Sequence, residues 1–118
     1  MPNNPLEQPP PVQIALIGAS QIARRVVPRV SKSRSLIWRG VAARDPARAR
    51  AFAQQFDLST SFESYDACLE DPLVNAVYIS VLNSDHAALI EKSLKAGKHV
   101  ICEKPLVLNA AQAVHLFR

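Results

Sequence analysis

Four short segments carry the residue types that could do chemistry, and each directly follows an apolar run. The first is Gly18-Ala19-Ser20-Gln21-Ile22-Ala23. A strand that enters a glycine turn and opens a helix offers an anion free N–H groups and the positive end of the helix dipole, which is how a dinucleotide's pyrophosphate is held. Gly18 permits the tight turn. Ser20 stands where a second glycine usually lets the backbone approach the phosphates, and Ala23 is the small residue at which helix packs on strand. A hydroxyl at position 20 still fits and is expected to donate to a phosphate oxygen, while Gln21 and Ile22 belong to the turn that receives the anion. A lone G-x-S-x-x-A is weak evidence, because an ordinary strand-to-helix turn looks the same.

The second segment, Ala42-Ala43-Arg44-Asp45, supplies an independent test. An acidic residue at this strand tip would bond the ribose 2′-hydroxyl of NAD, whereas an arginine would fork onto the 2′-phosphate of NADP through two charge-assisted bonds. Arg44 favours NADP. Asp45 keeps NAD open, with capping of a helix that begins at Pro46 as its other reading. Arg48, one turn on, is placed to assist. The third and fourth segments are Asn83-Ser84-Asp85-His86 and Glu103-Lys104-Pro105. Singly, Lys104 reads as a solvated lysine, His86 as a helix-start residue satisfied by backbone, and Glu103 as a cap. Together, at two neighbouring strand tips, they point to a ligand on the carboxyl edge of a sheet, where open α/β sheets bind.

The elements that must position these groups follow from hydrophobic periodicity. Residues 12–17 form an apolar run bounded by Pro11 and Gly18, as a central buried strand requires. In the next helix Ile22, Val26 and Val30 recur every four positions, with Ala23 and Val27 beside them, giving one buried face. Pro28 removes a backbone hydrogen bond and is expected to kink or shorten the last turn, ending the helix near Ser31. Residues 36–43 read as a second strand. Pro46 at a first helical position opens a second helix, on which Phe52 and Phe56 share a face. A short extended piece at 60–62, a helix at 64–69, a strand at 76–81, a helix at 85–96 and a strand at 99–102 continue the alternation. Gly97 sits where a left-handed cap is wanted, and Asn109 caps a last helix. Alternating strands and helices imply an α/β fold with a doubly wound parallel sheet.

Composition sets the outer limits. A chain of 118 residues with 48% hydrophobic and 6% aromatic content builds its core from Val, Ile, Leu and Ala, which suits a buried parallel sheet. The formal charge is +4, and eight arginines fall between Arg24 and Arg50, so one region is locally basic. Without aromatic partners or a nucleic-acid motif these arginines read mainly as solvated helix faces, and no nucleic-acid partner is expected. Cys68 and Cys102 form no C-x-x-C pair and read as reduced thiols, with no metal site expected. No apolar run nears the ~20 residues that cross a bilayer. The first 11 residues hold five of the nine prolines and read as a disordered or polyproline-like arm before a domain at 12–118. A cytoplasmic protein with no membrane partner is expected.

Over residues 12–118 the chain resembles the Gfo/Idh/MocA oxidoreductase family, that of glucose-fructose oxidoreductase and inositol dehydrogenase. The residues that carry the resemblance are the glycine turn, Ala43-Arg44-Asp45, Asp71-Pro72, Asn83-x-x-His86, and above all Ala96-Gly97-Lys98-His99-Val100-Ile101-Cys102-Glu103-Lys104-Pro105. It implies a Rossmann-type domain in which Glu103 holds the cofactor's ribose and Lys104, the catalytic residue, sits near the nicotinamide and the substrate hydroxyl. Asn83 and His86 would line the nicotinamide side, and Pro105 would shape the turn. The implied activity is hydride transfer between the nicotinamide and a CH–OH group of a small-molecule sugar, polyol or cyclic diol. The alternative is a non-catalytic NADP(H)-binding or regulatory module. Family members continue into a second α/β domain that supplies the substrate pocket. The chain is therefore expected to be truncated before that domain, inactive alone, and prone to self-association through the face left uncovered. Two departures stand out: Ser20 for glycine, and Val81-Leu82 in place of a small residue and proline before the asparagine.

Overall fold

The computed structural model describes residues 10–30, 33–81 and 83–102, with the Asn83 side chain excepted. Residues 1–9, the expected helix from Asn109, and Glu103, Lys104 and Pro105 lie outside the described residues. The chain runs β1 (Val12–Ile17), α1 (Gln21–Val30), β2 (Leu36–Ala42), α2 (Pro46–Phe56), β3 (Thr60–Phe62), α3 (Tyr65–Glu70), β4 (Ala76–Ile79), a 3-10 turn (Asn83–Asp85), α4 (His86–Lys95) and β5 (His99–Cys102). All five strands are parallel, in the order β3-β2-β1-β4-β5.

The unbroken apolar character of β1 follows from burial on both sheet faces. Ile14 and Leu16 pack with Ala23 and Val27 of α1 and with Ala49 and Phe52 of α2. The intervening Ala15 and Ile17 pack with Cys68 and Leu69 of α3 and Leu89 and Ile90 of α4. Successive side chains point to opposite faces, so a strand covered on both sides cannot alternate with polar residues. Helices α1 and α2 cover one face, α3 and α4 the other. The chain after β1 therefore leaves toward one face and the chain after β4 toward the other. Their carboxyl ends part between β1 and β4, opening a crevice at the point where strand order reverses.

The buried seam of α1 and several element boundaries differ from expectation, β2 and α3 by a single residue. The seam of α1 is Ala23 and Val27, both buried, whereas Ile22 is 43% exposed and turns one helical step away from the sheet. Strand β4 stops at Ile79, not at residue 81, because β1 turns away at Gly18 and its pairing with β4 ends at Ile17 and Ile79. The chain then coils into the 3-10 turn, so α4 begins at His86. Helix α1 runs through Pro28 and ends at Val30, close to the expected end near Ser31, since one missing N–H near a helix end removes a single bond.

Local chemistry sets the other ends. Asp45 caps α2, its Oδ1 accepting from the Ala47 N–H at 2.9 Å, with Pro46 in the first turn. Gly97 adopts φ +77° after α4, the left-handed conformation that ends many helices. Asp71 and Lys98 fasten the start of β4: Lys98 Nζ donates to the carbonyls of Asp71 and Val74, and Asp71 pairs with Arg39 at 2.9 Å. Burial alone would raise the Asp71 carboxyl. The Leu73 N–H, the Arg39 guanidinium and the Lys98 charge outweigh it and hold the group below its usual range. Several arginines of the basic stretch are likewise engaged within the fold, Arg24 with Gln55 and over the Phe52 ring, Arg50 with Glu63.

Candidate nucleotide-binding site

A cleft of about 560 Å³ opens at the carboxyl ends of β1 and β4. Its floor is the turn after β1. The Gly18 N–H bonds the Ala42 carbonyl at 2.8 Å, and the residue takes φ +113°, which an L side chain rarely adopts. A Cβ there would lie 2.6 Å from the Ser80 carbonyl oxygen, so glycine is required by space as well as by torsion. Ser20 is the N-cap of α1: its Oγ accepts from the Ala23 N–H at 3.0 Å, and its carbonyl accepts from the Arg24 N–H. The helix itself supplies no acceptor for the Gln21 and Ile22 N–H groups, and both residues line the cleft.

The Ser20 side chain is engaged within the turn. Its hydroxyl donates to Ser80 Oγ at 2.9 Å, and Ser80 Oγ in turn donates to the Gly18 carbonyl at 3.3 Å. The hydroxyl that replaces the second glycine therefore shapes the turn from both ends, capping the helix and tying it to β4. Ser80 lines the cleft and holds this turn, and sequence reasoning passed it over. Its only signal was a hydroxyl closing an apolar run, and its partner lies 60 positions away.

Arg44 and Arg48 stand on one side of the cleft. Arg48 reaches back over the turn, its guanidinium 3.4 Å from the Ala19 carbonyl. Arg44 extends across the mouth and pairs with Asp85 at 3.0 Å, bridging the tips of β2 and β4. Tyr65, at the start of α3, lies beside this pair. Burial raises its phenol pKa, with Arg44 acting to lower it and Asp85 to raise it. Sequence reasoning missed Tyr65 too, because only the β3 to α3 crossing brings it to the cleft. Asp45 faces solvent and is occupied as the α2 cap, one of the two roles left open for it.

His86 lines the cleft from the start of α4 but is 1% exposed, with Nε2 3.0 Å from the Val81 carbonyl. A carbonyl only accepts, so Nε2 carries the proton in this contact, and the ring fastens the segment after β4 to the helix. The Asn83 backbone lies in the 3-10 turn between them. Lys104, Glu103 and Pro105 fall outside the described residues, and β5 delivers the chain to Cys102 at the same edge. Among the described residues no group of His, Cys, Asp and Glu could hold a metal, and no helix is long and apolar enough to cross a membrane.

The arrangement suits a phosphorylated ligand with an extended body. A helix N-terminus and two arginines converge on a cleft whose volume falls in the ~300–1,000 Å³ range of small-molecule sites. Residues 12–118 match the GFO_IDH_MocA model, described as an oxidoreductase family with an NAD-binding Rossmann fold. An uncharacterised oxidoreductase of Rhizobium meliloti is 40% identical over 89% of the chain. A dTDP-3,4-didehydro-2,6-dideoxy-alpha-D-glucose 3-reductase of Saccharopolyspora spinosa is 37% identical over 90% of it. The chain spans about a third of the length of both, 32% in each case. Among solved structures, a 3-ketoreductase from Actinomadura kijaniata in complex with NADP matches with a TM-score of 0.84 and 37% identity, covering 91% of this chain and 34% of that one.

Proposed function

The chain belongs to the oxidoreductase family with an NAD-binding Rossmann fold, and from that premise we propose that its cleft binds NADP as the cofactor domain of a sugar, polyol or diol oxidoreductase. The observation that carries the choice of NADP is Arg44, a guanidinium at the β2 tip in the same cleft as the N-terminus of α1, with Arg48 beside it. The backbone N–H groups of Gln21 and Ile22 would hold the pyrophosphate, and Arg44 would fork onto the 2′-phosphate. Related proteins support the reading: the Actinomadura 3-ketoreductase is held with NADP, and a D-xylose 1-dehydrogenase (NADP(+)) of Haloferax volcanii is 35% identical over 90% of the chain. The human trans-1,2-dihydrobenzene-1,2-diol dehydrogenase is 44% identical over 61% of it.

The bound nicotinamide supplies a site that takes or gives a hydride. Lys104 would exchange the hydroxyl proton as the CH–OH carbon loses or gains that hydride, and Glu103 would bond the cofactor ribose, as the resemblance implies for both positions. Such a lysine acts as an acid or base only if burial and nearby charge bring its pKa toward working pH. Residues 12–118 form the cofactor domain in this reading, preceded by a proline-rich arm. The protein works in the cytoplasm and self-associates.

Calorimetric titration with NADP and NAD, on the wild type and on Arg44→Ala, tests the proposal without any substrate. Losing a charge-assisted guanidinium–phosphate pair, about 1.5–3 kcal/mol, weakens NADP binding by roughly 10- to 100-fold. NAD, which lacks the 2′-phosphate, changes little. An equal loss for both cofactors, or no binding of either to the wild type, overturns the assignment.

A further inference from the structure

Among the described residues lining the cleft Asp85 supplies the one carboxylate, and it grips the arginine assigned to the cofactor. It stands at the N-cap position of α4, where aspartate ordinarily accepts from the helix N–H groups, yet its side chain makes no cap hydrogen bond. The reason is conformational. A capping residue needs extended backbone, whereas Asp85 ends the 3-10 turn with φ −94° and ψ −8°, so its carboxylate points away from the helix it precedes. It reaches Arg44 instead, 41 positions away, with Oδ2 3.0 Å from the guanidinium. Arg44 remains 75% exposed in this contact and is free to exchange partners without leaving the surface.

We propose that Asp85 is a specificity-determining residue, which competes with the cofactor's 2′-phosphate for Arg44 and so limits the preference for NADP over NAD. The inference rests on the reading of Arg44 as the 2′-phosphate anchor. The Arg44 guanidinium is already paired with a carboxylate. NADP must displace that carboxylate and then sit near a second negative charge, whereas NAD needs neither step. Exposed ion pairs of this kind contribute a modest amount, so the competition tunes the preference and leaves its sign to Arg44.

The test is a cycle of Asp85→Asn, Arg44→Ala and the double variant of the full chain, titrated with NADP and with NAD. Asp85 makes no cap bond to α4, so Asp85→Asn folds as the wild type does, and Asp85→Ser serves as a second variant of different shape. Either variant tightens NADP binding about two- to five-fold, the range set by an exposed ion pair, and leaves NAD nearly unchanged. In the Arg44→Ala background neither adds anything. The proposal is overturned if NADP affinity is unchanged or weaker in Asp85→Asn, which would make the bridge a clamp over bound cofactor. It is equally overturned if NAD gains as much, or if the gain survives without Arg44. If Arg44→Ala alone leaves the NADP to NAD ratio unchanged, the underlying assignment fails; if that ratio collapses while Asp85→Asn does nothing, only the competition fails.

Discussion

Replacing Gly18 with alanine separates two costs that the fold imposes at one atom. The torsion, φ +113°, is one that L residues avoid at about 1–2 kcal/mol. The new Cβ would also fall 2.6 Å from the Ser80 carbonyl oxygen and 2.9 Å from its carbon. Those are backbone atoms and cannot rotate aside: the Ser80 N–H is bonded to the Ile17 carbonyl at 2.9 Å, and the Val81 carbonyl beyond it is held by His86. Over-packing of this kind adds about 1–3 kcal/mol. The substitution should therefore cost roughly 2–5 kcal/mol, a large part of a typical domain's ~5–15 kcal/mol. Gly97→Ala is the matched control, because it shares a positive φ, +77°, but its Cβ would meet nothing within 4 Å. It should cost about 1 kcal/mol from torsion alone. Urea unfolding measures both, read as a shift in midpoint at constant m. If Gly18→Ala proves no more destabilising than Gly97→Ala, the argument from the Ser80 contact is wrong.

The remaining predictions concern the cap and the core. Ser20→Ala removes the acceptor for the Ala23 N–H and should cost about 1 kcal/mol, whereas Ser20→Gly should cost only a few tenths. Equal losses in urea unfolding would deny Ser20 the capping role. The buried Cys68 thiol has its pKa pushed up to about 12 by burial, then by Asp71, with Lys98 acting against them. Its folded value lies above the unfolded one, so its contribution to stability is full below pH 9 and is lost as pH rises through about 12. The wild type should lose up to about 1.4 kcal/mol per pH unit in that window through this group. A Cys68→Ala variant, weaker at neutral pH, should lack that component of the slope; parallel stability curves from pH 8 to about 11 would refute it. The Arg44→Ala and Asp85→Asn titrations complete the set.

Much of the fold was legible because its signals are local. An apolar run bounded by Pro11 and Gly18, proline at the first turn of α2 and glycine after α4 each bias the backbone within a few residues, and these elements stand where the pattern places them. Boundaries slipped where a neighbouring strand decided them: β4 ends at Ile79 because β1 has turned away at Gly18. Likewise, Ile22 fits an apolar repeat on paper but faces the cleft, since a 100° helical step puts Ala23 and Val27 on the sheet.

The candidate site divides along the same line. By itself, the sequence determined the glycine turn, the arginine at the second strand tip and the arrival of polar residues at a common edge, because each is set by residue type and its place after a strand. Only the tertiary structure decided what those residues touch. Ser20 is tied to Ser80 across 60 positions and Arg44 to Asp85 across 41, and Tyr65 comes to the cleft through a strand crossover. Side-chain partners at that separation depend on strand order and on which sheet face each helix covers. Those are properties of the assembled sheet, and no local run of residues encodes them.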